Sequence, residues 1–93
     1  MNPKRKFTLE EARTIGGQLG IDQVGFNFEE FRRGLEVELE HGSRDPATNV
    51  TNDDGVLTGK IAWAHLKEFP DYYTRLDQLE TEADAFWAAK QAV

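Results

Sequence analysis

The sequence predicts an all-α fold, a small and irregular bundle of four helices. Apolar residues recur at intervals of three and four along four segments, and no segment alternates apolar and polar residues as a strand would. Residues that commonly begin or end helices flank these segments. The chain has 93 residues, of which 39% are hydrophobic, so it suits one small domain and is too apolar for a disordered chain.

The first helix is predicted from Thr8 to Leu19. Thr8 and Glu11 form a capping-box pattern, and Gly20 is a typical stop signal. The Gly16-Gly17 pair weakens a helix by roughly 1 kcal/mol per glycine relative to alanine. We therefore expect either a close approach of another segment at these glycines or a bend in the helix.

The second helix is predicted from Phe28 to His41, with Asn27 as its N-cap and Gly42 as its end. Glu30 stands three residues after Asn27, where it would complete a looser capping box. Residues 43–57 then form a polar connection that is long for a domain of this size.

The third helix is predicted from Gly59 to Phe69, and the fourth from Pro70 towards the C-terminus. Pro70 suits the first position of a helix, and Asp71 favours the positive end of the helix dipole. Apolar residues recur along one side of the fourth helix: Tyr72, Leu76, Leu79, Ala83, Phe86 and Trp87.

The charge distribution divides the chain into a basic tail, residues 1–7, and one helical domain, residues 8–93. The formal net charge is −6, although the tail carries Lys4, Arg5 and Lys6. An acidic body repels phosphate backbones, so nucleic-acid binding is disfavoured and contact through the tail ranks last among the functions considered. We expect the tail to be flexible and solubilising.

Several function classes are excluded by composition. The chain has no cysteine, so disulfides and thiolate sites are excluded. No apolar run approaches the roughly 18 residues of a membrane span, and no signal-peptide pattern is present. Phosphate-loop and serine-nucleophile motifs are missing, so we assign no catalytic residue. We expect a soluble cytoplasmic protein that is more plausibly a binding protein than an enzyme.

Two histidines carry the most distinctive chemistry. Glu38 with His41, and His65 with Glu68, are three residues apart and share a helix face. If the second and third helices are antiparallel neighbours, the two pairs can meet and would suit a Zn, Fe or Mn ion. The favoured alternative is structural: an exposed Glu38–His41 pair and a half-buried, hydrogen-bonded His65, with no cofactor.

Aromatic residues provide a second set of candidates, for contact with a protein partner or for self-association. Aromatic side chains are enriched in protein interfaces, and they also fill cores, so both roles are considered. The candidates are Trp63, Tyr72, Tyr73, Phe86 and Trp87.

The segment from Phe31 to Leu79 resembles a family of short bacterial and phage domains of unknown function. The resemblance rests on Gly34 to Gly42, on Asn49-Val50-Thr51 and on Gly59 to Leu76, with Trp63 in place of a smaller apolar residue. It implies a bacterial, archaeal or phage origin and transfers no site residue. We therefore expect a small, non-enzymatic helical protein that acts through protein contacts, such as a phage accessory component in a bacterial or infected cell. The alternative is a metal-binding helical protein.

Overall fold

The computed structural model describes residues 6–91, and these form four helices. They are α1 (Leu9–Leu19), α2 (Phe28–Glu38), α3 (Gly55–Glu68) and α4 (Tyr72–Gln91). A short 3-10 turn, Leu39–His41, continues α2. The described residues contain no strand, so the predicted all-α bundle is confirmed.

Local signals explain most helix boundaries, but α2 ends at Glu38 rather than at His41, and α3 and α4 both begin at other residues than predicted. The capping box of Thr8 and Glu11 is present, and Gly20 adopts the left-handed conformation with φ 82°. α3 begins four residues early, at Gly55, because the Asp54 carboxylate accepts a hydrogen bond from the Leu57 N–H at 2.9 Å. α4 begins at Tyr72 rather than at Pro70.

Most of the core lies between the first three helices, and Tyr73 of α4 completes it. Gly16 lies against the ring of Phe28: a Cβ at this glycine would be 2.6 Å from Phe28 Cε1. Close approach is therefore the reason for the glycine, while a Cβ at Gly17 would meet nothing within 4 Å. The buried hydrophobic residues are Phe7, Ala12, Ile21, Phe28, Phe31, Leu35, Ala62, Leu66 and Tyr73.

Phe7 corrects the predicted boundary of the N-terminal tail. Its side chain is 4% exposed, and its N–H donates to the Glu36 carboxylate at 2.8 Å. Phe7 is therefore part of the domain core. Lys4 and Arg5 lie outside the described residues.

The connection between α2 and α3 is held together at Asp53. The Asp53 carboxylate accepts hydrogen bonds from the Ser43 N–H, at 2.9 Å, and from the Ser43 hydroxyl. Gly42 lies so close that a Cβ there would be 2.0 Å from Asp53 Oδ1. Asn52 and Asp53 have φ values of 51° and 64°, a conformation that Asn and Asp tolerate better than most residues. These hydrogen bonds join Ser43, at the start of the long polar connection, to Asp53, near its end.

α4 gives the molecule its elongated shape. The helix has 20 residues, which is about 30 Å at 1.5 Å per residue, and only Tyr73 in it is buried. The molecule measures 50 × 27 × 20 Å, and its radius of gyration is 14.5 Å. A compact chain of this length would have a radius near ~12 Å. The difference follows from α4, whose later turns extend away from the core.

Candidate functional site

The start of α4 docks on one face of α2. Glu30, Gly34 and Glu38 are four residues apart, so they share that face, and all three are buried. Tyr73 and Thr74, in the first turn of α4, contact these residues. We call these five residues the α2–α4 junction.

Gly34 makes room for the ring of Tyr73. A Cβ at Gly34 would lie 2.5 Å from Tyr73 Cε2 and 3.1 Å from the Ala62 Cβ. From this position the Tyr73 hydroxyl donates a hydrogen bond of 2.7 Å to Glu38 Oε2, which lies one helical turn further along α2. The pKa of Tyr73 is raised well above its ordinary value, mainly by burial and to a smaller extent by this hydrogen bond to Glu38. The phenol therefore keeps its proton to a higher pH than an exposed tyrosine and donates it to Glu38.

Glu30 caps α4 from outside that helix. Its Oε1 accepts a hydrogen bond from the Thr74 N–H at 2.8 Å, and its Oε2 accepts one from the Thr74 hydroxyl at 3.1 Å. N–H groups in the first turn of a helix lack intrahelical partners, and a carboxylate there favours the helix dipole. Asn27 caps α2 as predicted, by accepting from the Glu30 N–H at 3.1 Å. The Glu30 side chain, however, serves α4 instead of completing a box with Asn27.

Both histidines lie beside the Glu38 carboxylate. His41 Nε2 is 3.4 Å from Glu38 Oε1, and His65 Nε2 is 3.8 Å from Glu38 Oε2. The His65 ring also stacks on Tyr72, with ring centroids 4.3 Å apart. Burial, with added repulsion from the charges of Glu38 and Glu68, raises the pKa of Tyr72. Three of the four residues predicted as metal ligands therefore meet, while Glu68 is exposed to solvent.

This cluster has the geometry of a buried polar contact that holds two helices together. Within residues 6–91, no group of three or more His, Asp or Glu side chains is arranged to hold a metal ion. The Glu38 carboxylate, 3% exposed, already accepts the hydrogen bond from Tyr73. Pairing a buried carboxylate in this way avoids the cost of an unpaired buried charge. The cluster thus fixes where α4 begins.

The five aromatic candidates fall into three environments. Tyr73 is 1% exposed, so it is a core residue and does not belong to a partner-binding surface. Trp63 and Tyr72 are partly buried against the core, and the Lys67 ammonium lies 4.3 Å from the Trp63 ring centroid. Phe86 and Trp87 are 53% and 61% exposed.

The later turns of α4 carry an exposed apolar surface. Leu79 is 60% exposed, and the Phe86 and Trp87 rings meet edge to face with centroids 5.1 Å apart. We call the side of α4 that carries Leu76, Leu79, Ala83, Phe86 and Lys90 the α4 stripe. Trp87 flanks it, and Leu76 at its start is partly buried against the core. A shallow cleft adjoins the start of the stripe and is lined by Phe69, Tyr72, Arg75, Leu76 and Leu79.

Sequence reasoning missed the roles of Glu30 and Gly34. The available signal was their spacing: Glu30, Gly34 and Glu38 repeat every four residues, which places two carboxylates and a gap between them on one helix face. Nothing local indicated that Tyr73 and Thr74 would occupy that face.

Comparison with known proteins gives one finding. Residues 12–82 match the model of a family described as "Protein of unknown function (DUF5661)". No significant match was found among curated proteins or among solved structures. The matched range includes the whole α2–α4 junction and ends before Phe86 and Trp87.

Proposed function

Because the chain belongs to the DUF5661 family, whose description names no activity, we propose its function from the geometry: the protein acts through protein–protein contact, and the α4 stripe is its docking surface. Tyr73 is not part of that surface, and Trp63 and Tyr72 adjoin the core. The exposed contacts are instead supplied by Leu79, Phe86 and Trp87.

One observation carries this proposal. Three large apolar side chains, Leu79, Phe86 and Trp87, are each more than half exposed on a single helix. Contiguous exposed apolar surface is typical of interaction sites, and aromatic anchors supply much of the binding energy of interfaces. Apart from Ala83, which is partly buried, residues 77–91 are exposed to solvent, and isolated helices of this length are marginal in water. A partner would therefore stabilise the segment as well as cover it.

Site-specific photo-crosslinking in the cells that naturally make the protein tests this proposal. A photoreactive phenylalanine analogue replaces Leu79 in one variant and Phe86 in another. The control places the analogue at Val24, which is 86% exposed and lies in the loop that connects α1 to α2, away from the stripe. We expect protein adducts from the two stripe positions and none above background from the control. Equal yields at all three positions would contradict the proposal.

Metal binding is the second function to test, because Glu38, His41 and His65 approach one another. Among residues 6–91 no group of three or more His, Asp or Glu side chains is arranged to hold a metal ion, and a bound Zn, Fe or Mn ion stays a prediction from the sequence. Elemental analysis of the tag-free protein tests this prediction. Stoichiometric metal that is lost in His65→Ala would support the site. A metal-free protein that is as stable as its His65→Ala variant would eliminate it.

The cellular setting also stays a prediction. An accessory role in phage or bacteria rests on the family resemblance, and a cytoplasmic location rests on composition. Among the helices between residues 6 and 91, none is long and apolar enough to cross a membrane. Locating the tagged full chain by fractionation of its native cells tests the location directly.

A further inference from the structure

The spacing of the α4 stripe is that of a helix that pairs with another helix. Leu76, Leu79, Ala83, Phe86 and Lys90 follow one another at intervals of three, four, three and four residues. This average of about 3.5 residues is the repeat of a coiled-coil seam. Lys90 fits the pattern because its stem is apolar and its ammonium lies 5.3 Å from the Phe86 ring centroid. The spacing therefore favours a helical partner over a flat surface.

The two ends of the stripe differ: one adjoins a shallow cleft, and the other carries exposed aromatic rings. At the body end is the cleft whose apolar lining includes Phe69, Leu76 and Leu79. At the far end, the rings of Phe86 and Trp87 project into solvent. A second copy that is turned end to end places its aromatic rings beside this cleft and receives the rings of the first copy in return. Such reciprocal contact is the property of a two-fold dimer.

The register of such a pair follows from residue size. With Leu76 of one copy beside Phe86 of the other, Leu79 lies beside Ala83 of the other copy. A large residue thus faces a small one near the centre, which helps two helices to interdigitate. Tyr72 then lies beside Lys90 of the other copy, so the two bodies occupy opposite ends of the pair.

We propose that the α4 stripe pairs antiparallel with the α4 stripe of a second copy of this chain, so that Phe86 and Trp87 of each copy cover the cleft of the other. The proposal rests on the proposed function and names its partner. A parallel pair would leave both clefts uncovered, because the aromatic ends would then lie together away from the bodies.

Charge modulates the strength of the dimer. Glu80 and Glu82 flank the stripe on opposite sides, one residue before and one after the two-fold axis. Glu80 therefore approaches Glu80 of the other copy, and Glu82 approaches Glu82 of the other copy. At the ends, Lys90 approaches the region that holds Glu68 and Asp71 of the other copy, which is attractive. Exposed like-charge pairs are weakly repulsive and are screened by salt. The stripe from Leu76 to Lys90 is only about 21 Å long at 1.5 Å per residue, so the dimer is expected to dissociate on dilution.

Sedimentation equilibrium of the full chain over a wide concentration range, at low and high salt, tests the dimer. We expect reversible monomer–dimer exchange that salt strengthens, because two copies with a net charge of −6 each repel one another and salt screens that repulsion. Phe86→Ala is expected to weaken dimerisation by at least ~10-fold, because each dimer loses two anchoring rings. Val24→Ala is the matched control at another exposed apolar position and should leave the constant unchanged. Glu82→Gln should strengthen the dimer about 2-fold by removing one like-charge pair.

Orientation is tested with single cysteines, since the chain has none of its own. Under mild oxidation, Glu82→Cys is expected to give disulfide-linked dimers, because this position faces its counterpart across an antiparallel pair. Asp84→Cys, on the outer side of the helix, should give few. The reverse ranking would overturn the antiparallel arrangement, as would a dimer that Glu82→Gln weakens.

Failure of this proposal can be told apart from failure of the proposed function. A chain that stays monomeric at every concentration overturns the dimer. If Leu79 and Phe86 positions then crosslink to a different protein, the docking role of α4 stands and only its partner was wrong. If they crosslink to nothing, both proposals fail. Dimerisation that Phe86→Ala leaves unchanged also overturns the α4 pairing.

Discussion

The two aromatic pairs of α4 have opposite environments on the same helix. Tyr72 and Tyr73 occupy its first turn, where Tyr73 is 1% exposed; Phe86 and Trp87 lie fourteen residues later, and Trp87 is 61% exposed. In sequence the two pairs look alike, as two adjacent rings on a helix. The difference comes from another helix, because α2 offers a glycine gap and a buried carboxylate only to the first pair.

α4 therefore has two parts. Its first turn, at the α2–α4 junction, holds the fold together, and its later turns, which carry the α4 stripe, are exposed and can bind a partner. At the junction every feature has an internal partner: the Tyr73 ring lies over Gly34, its hydroxyl bonds Glu38, and Glu30 caps the helix. Substitutions at the junction should therefore affect stability, and substitutions in the free part should affect association.

The largest effect is expected from Gly34→Ala. The new methyl group would overlap the Tyr73 ring, so we expect a loss of about 1–3 kcal/mol in the free energy of unfolding, as in other overpacked cores. Gly17→Ala is the matched control in α1, since its Cβ meets nothing within 4 Å. It should stabilise the protein by about 0.5–1 kcal/mol. Urea unfolding of both variants measures the contrast, and equal stability of the two would contradict the packing described.

A comparable or smaller effect is expected from Tyr73→Phe. The ring stays in place, but the buried Glu38 carboxylate loses its donor, which should cost about 1–3 kcal/mol of unfolding free energy. Tyr72→Phe is the neighbouring control. It retains the ring that stacks on His65 and should change stability by less than about 0.5 kcal/mol. If the two variants are equally stable, the Tyr73–Glu38 bond contributes nothing.

A pH effect follows from the same bond. Burial and the hydrogen bond to Glu38 raise the pKa of Tyr73, so the folded protein retains a phenol proton that the unfolded chain releases near pH ~10. Stability from this group is complete below about pH 10 and falls as the pH rises above it. In Tyr73→Phe the unfolding free energy should fall less steeply with rising pH. The part of the fall that remains is due to Tyr72, whose pKa is also raised. Urea unfolding from about pH 9 to about pH 11 measures both slopes, and identical slopes would rule out this linkage.

The smallest effect on folding is expected at the exposed pair. The double variant Phe86→Ala with Trp87→Ala should change the unfolding free energy of the monomer by less than about 0.5 kcal/mol, because neither ring packs in the core. Thermal unfolding at low concentration measures this. A large loss of stability would show that the end of α4 supports the fold, and it would remove the contrast between the two pairs.

Local signals in the sequence were sufficient for the helices and for several of their ends. Thr8, Asn27 and Gly20 act within a few residues of their own positions, so their roles are legible without tertiary information. The Glu38–His41 contact was predictable for the same reason, since residues three apart share a helix face.

Tertiary partners were not legible in the same way. Glu30 bonds Thr74, which is 44 residues away, and Glu38 bonds Tyr73 across 35 residues. Neither contact leaves a periodic signal in either segment. The burial of Tyr73 and the exposure of Phe86 likewise depend on whether α2 reaches them, which the pattern of α4 alone does not encode.

Amide hydrogen exchange along α4, measured at low and at high protein concentration, shows directly whether the two parts of this helix differ. At low concentration we expect slow exchange at the Thr74 amide, which Glu30 caps, and fast exchange from Leu79 to Lys90, where local unfolding costs little. At high concentration, exchange from Leu79 to Lys90 should slow while the Thr74 amide stays as it was. Uniform protection along the whole helix at low concentration, with no response to concentration, would contradict the division of α4 into a docked start and a free binding segment.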